Sequence, residues 1–371
     1  MAEPLKNHFG PTIPRKIAAM MSTAYPRFAA ESFLKDALKG YQALALLPRG
    51  RHIARTLRRH LPDEYAQAIK VLIASLGSKL DETDNLGMAP FLYLPHVLFV
   101  AEYGLDHFED SMEAQYELTQ RFTAEFSIRP FLVRHPQQTL ARLKNWAGDP
   151  SAHVRRLVSE GTRPRLPWAP RLRAFQQDPR PVLALLELLK DDPALYVRRS
   201  VANNLNDIGK DHPDLLVATA RRWMKNSSEE RRWLIRHGLR SAVKRSETAA
   251  LDLLGYGGTA RAAIQKVVIT PERARLGDAL TIAFDLTNTG TRRQALLVDF
   301  RIHFVKANGK TNPKVFKLKT VELAPRETVR LGKGVSLKEM TTRKHYSGTH
   351  RVEVVLNGRA QMLGSFELIK S

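Results

Sequence analysis

Glu160 is an acidic side chain set among cations. It follows Arg156 by four residues, which puts the two on one helical face, and it opens the segment Gly161-Thr162-Arg163-Pro164-Arg165-Leu166-Pro167-Trp168. A helix cannot continue through two prolines, so an irregular loop is expected that places Trp168 near the helix end. Two readings of these residues compete. In one, Arg156 and Glu160 form an ordinary surface ion pair and Trp168 is a core aromatic. In the other, the carboxylate has a chemical role.

Few other chemistries are available to the chain. It has no cysteine, which excludes disulfides, thiolate metal sites, iron–sulfur clusters and thiol nucleophiles. There is no His-Glu-x-x-His, no phosphate-binding Gly-x-x-x-x-Gly-Lys and no Gly-x-Ser-x-Gly elbow, and the 12 histidines are scattered without metal-ligand spacing. No metal or cofactor is expected. Lys and Arg number 59 against 37 acidic residues, a net charge of +22, far more than solubility requires. A polyanion is the expected partner, and nucleic acid comes ahead of a membrane because no apolar run approaches the roughly 20 residues of a spanning helix. On such a surface a carboxylate repels phosphate unless it has a use.

The elements that must position these residues fall into two stretches. From about Ile13 to Gly255 apolar residues recur at three and four spacing, as in Ile69, Leu72, Ile73, Leu76 and Leu80, or Leu183, Leu186 and Leu189, which predicts helix after helix. A repeat is visible inside this stretch. DPSAHVRRLVSEG begins at Asp149 and DPALYVRRSVANN at Asp192, an offset of 43 residues, and the helices ahead of them are expected to start at Pro136 and Pro179 with the same offset. In a degenerate third copy Pro213 opens a helix, Ser227 and Ser228 replace Asp-Pro, and Arg231 and Arg232 replace the Arg pair. Helix pairs of about 40 residues are the pattern of HEAT-like solenoids, whose units bury their apolar faces against neighbours. Stacking would set Arg155, Arg156, Arg198, Arg199, Arg231 and Arg232 in a row along one surface. Such a row either tracks a phosphate backbone or supports the turns between repeats. Arg236, Arg240, Lys244 and Arg245 are expected to extend the last helix with further cations.

After Gly255 the period changes to two. Leu280, Ile282, Phe284 and Leu286 alternate with other residues, as do Leu296, Val298, Phe300, Ile302 and Phe304, and Val352, Val354 and Leu356. Turn signals at Asn288-Thr289-Gly290, Asn308-Gly309, Pro325 and Asn357-Gly358 separate about seven strands, which suggests an immunoglobulin-like sandwich. The expected fold is therefore multidomain, α then β: a HEAT-like helical solenoid over 1–255 and an Ig-like β-sandwich over 256–371, joined at Gly255-Tyr256-Gly257-Gly258. Residues 256–371 hold 21 Lys or Arg and 9 Asp or Glu, a net of +12, with Lys310, Lys314, Lys317 and Lys319 near one turn and Arg343, Lys344, His345 and Tyr346 near another. That charge favours a domain that also touches nucleic acid.

The run HVRRLVSEGTRPRLPWAPRL, His153 to Leu172, followed by YVRRSVANNLNDIGKDHPD, Tyr196 to Asp214, resembles the AlkC family of DNA alkylation repair glycosylases, relatives of the AlkD family. The resemblance spans both domains, and the Ig-like C-terminal domain fits the subgroup that carries one. It implies excision of N3-methyladenine and N3-methylcytosine from duplex DNA, without cofactor and without the base-flipping pocket of other glycosylases. It also implies that Glu160 and Asp207 face the lesion-bearing deoxyribose, joined by Glu125 in a helix ending at Ile128-Arg129-Pro130. By the same resemblance Arg156 holds backbone phosphate and Trp168 packs against the lesion nucleotide. The residue types suit such chemistry, because an N3-alkylated base is already cationic and leaves readily, while the oxocarbenium-like sugar needs negative charge nearby.

The remaining expectations are a cytoplasmic, nucleoid-associated location, since Met1 to Gly10 does not resemble a signal peptide, a monomer, and no obligate protein partner. Arg155, Arg198, Arg199, Arg236, Arg240 and Lys244 are the expected DNA contacts beside Arg156 and Trp168. A noncatalytic DNA-binding or protein-interaction scaffold and a membrane-surface adaptor are the competing functions.

Overall fold

The structure is a computed structural model, and it describes residues 5–81, 87–339 and 344–369. Met1 to Pro4, at the N-terminus considered above, and Arg343 lie outside the described residues. The chain divides into two compact units, one of residues 1–216 and 223–238 and the other of residues 217–222 and 239–371.

The first unit is helical, and its repeat is geometric as well as sequential. Helices Pro136–Trp146 and Ala152–Gly161 make one pair, and Arg180–Leu189 and Leu195–Ile208 the next, so the second helices start 43 residues apart, as do the Asp-Pro pairs ahead of them. Each Asp-Pro pair starts a helix. Asp149 Oδ1 accepts from the Ser151 amide at 2.8 Å and Asp192 Oδ1 from the Ala194 amide at 2.9 Å, turns in which the carboxylate satisfies donors just ahead of the first helical residue. Val182, Leu183, Leu185, Leu186 and Leu189 form the buried face of Arg180–Leu189.

Three local readings of the sequence need correction. The helix with Ile69 and Leu72 runs only over Tyr65–Ala74, because Gly77 and Ser78 follow and favour irregular backbone, so Leu76 and Leu80 lie beyond it. Glu125 precedes a helix rather than closing one: Ile128–Arg134 begins after it, and Pro130 sits in the first turn, where a missing amide hydrogen costs nothing. Arg236 and Lys244 do not share a helix. Glu229–Gly238 ends at a glycine where an added Cβ would come within 3.1 Å of Leu205 Cδ2, and a short helix, Arg240–Lys244, follows in the second unit.

Among the described residues the second unit holds eight strands, β1 (Ala262–Thr270), β2 (Arg273–Arg275), β3 (Ala279–Asn288), β4 (Gln294–Val305), β5 (Thr311–Leu323), β6 (Thr328–Ser336), β7 (Gly348–Leu356) and β8 (Arg359–Ile369). They form two sheets, ordered β1-β3-β6 and β2-β8-β7-β4-β5. The period-two residues do what alternation requires: Leu280, Ile282, Phe284 and Leu286 of β3 and Leu296, Val298, Phe300 and Ile302 of β4 are all buried, packed with Val352, Val354 and Leu356 of β7.

Candidate active site

The helix Ala152–Gly161 carries Arg156 and Glu160 on one face, and three other segments meet it there. Glu125 and Thr123 come from the turn before Ile128–Arg134. Ser200, Asn204 and Asp207 come from Leu195–Ile208, and Arg163 stands on the loop after Gly161. The helices can approach closely because Gly161 has no side chain: a Cβ there would lie 2.5 Å from Ile128 Cγ2.

The charged groups form one connected array. Arg156 Nη1 donates to Glu125 Oε2 at 2.5 Å and to Thr123 Oγ1 at 2.9 Å, and its Nη2 lies 3.5 Å from Glu160 Oε1. Arg163 bridges the other two carboxylates, with Nη1 donating to Glu160 Oε1 at 2.7 Å and Nε to Asp207 Oδ2 at 2.8 Å. Lys210 Nζ donates to Asp207 Oδ1 at 2.8 Å. A hydroxyl relay, Ser159 Oγ to Ser200 Oγ at 2.7 Å and on to Glu160 Oε2 at 2.6 Å, fills the second oxygen of Glu160. Burial by itself would push the Glu160 carboxyl up, but Arg156, Arg163 and the Ser200 hydroxyl more than offset it, so the group is held below the usual glutamate range and stays ionised. Burial likewise opposes the charge on Arg163, and the Glu160 and Asp207 carboxylates outweigh it, raising the guanidinium above its ordinary value. The pairing of Arg156 with Glu160 is thus no surface ion pair: Glu160 is 6 % exposed.

These groups differ in what they can offer a substrate. Glu125, Arg156, Glu160 and Arg163 line a cleft of 360 Å³ whose walls include Phe91, Phe122, Tyr196 and Trp168. Asp207 is 1 % exposed and does not line the cleft; it stands behind Arg163. Glu160 and Asp207 have both oxygens engaged. Glu125 accepts on Oε2 from Arg156 and from Thr123 Oγ1, at 2.8 Å, and its Oε1 takes no hydrogen bond among the described residues. Trp168 is not a core aromatic. It is 59 % exposed, lies in the left-handed backbone region at φ 65°, and lines both this cleft and a second cavity of 700 Å³. An L-residue held there costs about 1–3 kcal/mol, a strain that surrounding structure must maintain.

The repeated Arg pairs do not form a uniform row. Arg155 donates to both oxygens of Asp192, at 2.6 and 3.0 Å, and to the carbonyls of Asp149 and Pro150, tying one repeat to the next. Arg198 makes the equivalent bonds to the carbonyls of Asp192 and Pro193, at 2.6 and 2.7 Å. In the third copy Arg232, not Arg231, takes that place by donating to the Ser227 carbonyl, while Arg231 pairs with Asp191. Arg199 and Arg236 are exposed in the first unit; Lys244 is exposed and Arg240 half-buried in the second.

Arg163, Thr123, Ser200 and Arg129 were not singled out by the sequence. Arg163 carried a legible signal, an arginine three residues after Glu160 and inside the same unusual string. Ser200 and Arg129 are distant in the chain from the groups they touch, and Thr123, though two residues from Glu125, is 33 from Arg156; none carried a signal.

A solved structure described as Pseudomonas fluorescens alkylpurine DNA glycosylase AlkC bound to DNA containing an abasic site analog matches this chain with a TM-score of 0.92 and 39% identity, covering 99% of this chain and 100% of that one. The chain belongs to the AlkC family. A curated relative from Bacillus subtilis (strain 168), Uncharacterized protein YhaZ, is 36% identical over 96% of this chain and 97% of its own length. The family described as Uncharacterised protein YhaZ, C-terminal Ig-like domain, matches residues 263–370, so this member carries the Ig-like domain of its subgroup.

Proposed function

We propose that the chain is a monofunctional DNA glycosylase that hydrolyses the N-glycosidic bond of cationic alkylated bases, N3-methyladenine and N3-methylcytosine, in duplex DNA, as a monomer in the cytoplasm and without a cofactor. The observation that carries this reading is the array of Glu125, Glu160 and Asp207 with Arg156 and Arg163 at an aromatic-walled cleft, in a chain 39% identical to a glycosylase bound to abasic DNA.

The base is its own leaving group, so the barrier lies in the positive sugar. Glu160, kept ionised by two guanidiniums, supplies fixed negative charge that needs no reorganisation as the bond breaks. Glu125 is the carboxylate with an oxygen to spare, which suits it to orient or deprotonate the attacking water. Asp207 acts through Arg163, setting the guanidinium that holds Glu160. Trp168 offers a π face to a cationic base. No lysine lines the cleft among the described residues, and Lys210 is engaged by Asp207, which supports hydrolysis without a Schiff base. The family resemblance supports release without turning the base into a pocket.

Phosphate contacts are assigned to Arg156, Arg199 and Arg236 of the first unit. Arg240 and Lys244 add cations in the second unit, and the net +12 of residues 256–371 adds affinity. Arg155 and Arg198 support turns and contribute indirectly. The test is release of bases from methylated duplex in the presence of a chelator, comparing wild type with Glu160→Gln and Asp207→Asn. No release by wild type, or unchanged release by both variants, overturns the proposal.

A further inference from the structure

The loop from Leu166 to Leu172 stands between two empty spaces. Trp168 lines the 360 Å³ cleft on one side and, with Ala169, Pro170, Arg171 and Leu172, the 700 Å³ cavity on the other. A segment with so little packing on either side does not hold a left-handed tryptophan by contact alone. Its own bonds are few: the Ala169 amide donates to the Leu166 carbonyl at 3.4 Å and the Leu172 amide to the Pro164 carbonyl at 3.2 Å.

Arg129 reaches it from beneath. Its Nη1 donates to the carbonyls of Gly161 at 3.0 Å and Arg163 at 2.7 Å, and its Nη2 to the carbonyl of Pro170 at 2.5 Å. The last is the one hydrogen bond, among the described residues, that ties 166–171 to another part of the chain. Arg129 is 3 % exposed and forms no salt bridge among the described residues, although Glu125, Glu160 and Asp207 are near enough to act on its charge. Burial pushes its guanidinium down to about 10, the direction expected of a cation taken from water without a bonded counterion. A buried arginine that bears this cost and directs its donors at three carbonyls of one short stretch has a positional role.

We propose that Arg129 is a positioning residue, a staple that spans the end of the Glu160 helix and the far side of the loop and so holds Trp168 at the cleft. The functional consequence rests on the glycosylase reading; the structural one does not. Lysine cannot replace the fork, since one ammonium on a thinner stem cannot meet three carbonyls set around a planar group.

The test uses full-length protein labelled with 5-fluorotryptophan, which reports on Trp146, Trp168, Trp223 and Trp233 separately once Trp168→Phe has assigned its line. In Arg129→Lys the Trp168 line is expected to shift and broaden while the other three stay in place. An unmoved Trp168 line, or equal movement of all four, overturns the proposal. Arg129→Gln, which has no charge to bury, gives the same reading if the lysine variant does not fold. In single-turnover base release, Arg129→Lys is expected to lose on the order of 10–100-fold, the scale of an ångström misplacement, and to lose nothing further when combined with Trp168→Ala. Multiplying losses overturn it. If the protein releases no base from any substrate, the glycosylase reading fails while the fluorine spectra still decide the role of Arg129.

Discussion

Glu160→Gln separates charge from shape at the centre of the array. The amide is isosteric, and its surroundings can rearrange around it: Oε1 can still accept from Arg163, while the new NH2 can donate to Ser200, whose hydroxyl turns toward Ser159. What is lost is the charge. Arg156 keeps Glu125 and Arg163 keeps Asp207 as partners, so the folding cost should be that of weakened charge-assisted bonds, about 1.5–3 kcal/mol, rather than the larger penalty of an orphaned ion. That corresponds to a fall in Tm of roughly 3–12 °C for a domain of this size. For catalysis, a unit charge about 5 Å from the developing cation contributes about 3.3 kcal/mol at an effective dielectric near 20, or about 250-fold in rate. Single-turnover base release from methylated duplex measures this, with affinity for abasic-analogue DNA measured in parallel. The expected result is a loss on the order of 100–1,000-fold in rate with affinity unchanged or slightly tighter, since a negative charge near phosphate has been removed. A folded variant within threefold of wild type refutes the electrostatic role, and a loss of affinity that accounts for the rate makes Glu160 a binding residue.

Because the Glu160 carboxyl is held below its ordinary value, its stabilising contribution is complete above the unfolded glutamate pKa and is lost only as pH falls through the lower folded one. The Tm difference between wild type and Glu160→Gln should therefore stay constant from pH 8 to 5 and close below about 4.3; a difference that shrinks between pH 8 and 5 contradicts the assignment. Gly161→Ala puts a methyl 2.5 Å from Ile128 Cγ2 and should cost about 1–3 kcal/mol by overpacking, with a loss of base release, measured by denaturant unfolding and the release assay. Asp192→Ala removes the buried partner of Arg155 between repeats, and thermal unfolding should show a loss of about 3–5 kcal/mol with DNA affinity little changed at matched folding. Burial raises the Asp299 carboxyl against the pull of the Leu318 amide, Lys317, Lys244 and Lys333, so the native state holds its proton more tightly than the unfolded chain and stability falls as pH rises through that window. Asp299→Asn should raise the Tm of the second unit at pH 7, by a margin that narrows toward acid pH in calorimetry.

Much of this molecule could be read from its residues because the signals were local or repeated. The 43-residue offset of the Asp-Pro pairs, the helical spacing of Leu183, Leu186 and Leu189 and the alternation in β3 and β4 each express the geometry of one element, which is set by neighbours in the chain. Glu160 and Arg156 were legible for the same reason, since one turn of helix puts them together. Helix ends were read less well. The stop after Ala74 comes from Gly77 and Ser78, while Ile128 and Gly238 lie where Gly161 and Leu205 approach the helix ends, and periodicity reports neither.

The carboxylates show where the division lies. Sequence alone determined that the chain is cationic, without thiols, and carries a proline-broken string after Glu160, because these are properties of composition and of adjacent residues. Only the tertiary structure decided that Arg155 and Arg198 serve turns while Arg156 enters the array, that Asp207 stands behind Arg163 instead of in the cleft, and that Trp168 is exposed between two cavities. The physical reason is distance along the chain. A hydrogen bond from Arg129 to Pro170, or from Ser200 to Glu160, joins residues about 40 apart, and whether they meet depends on how whole helices pack, not on any spacing within one.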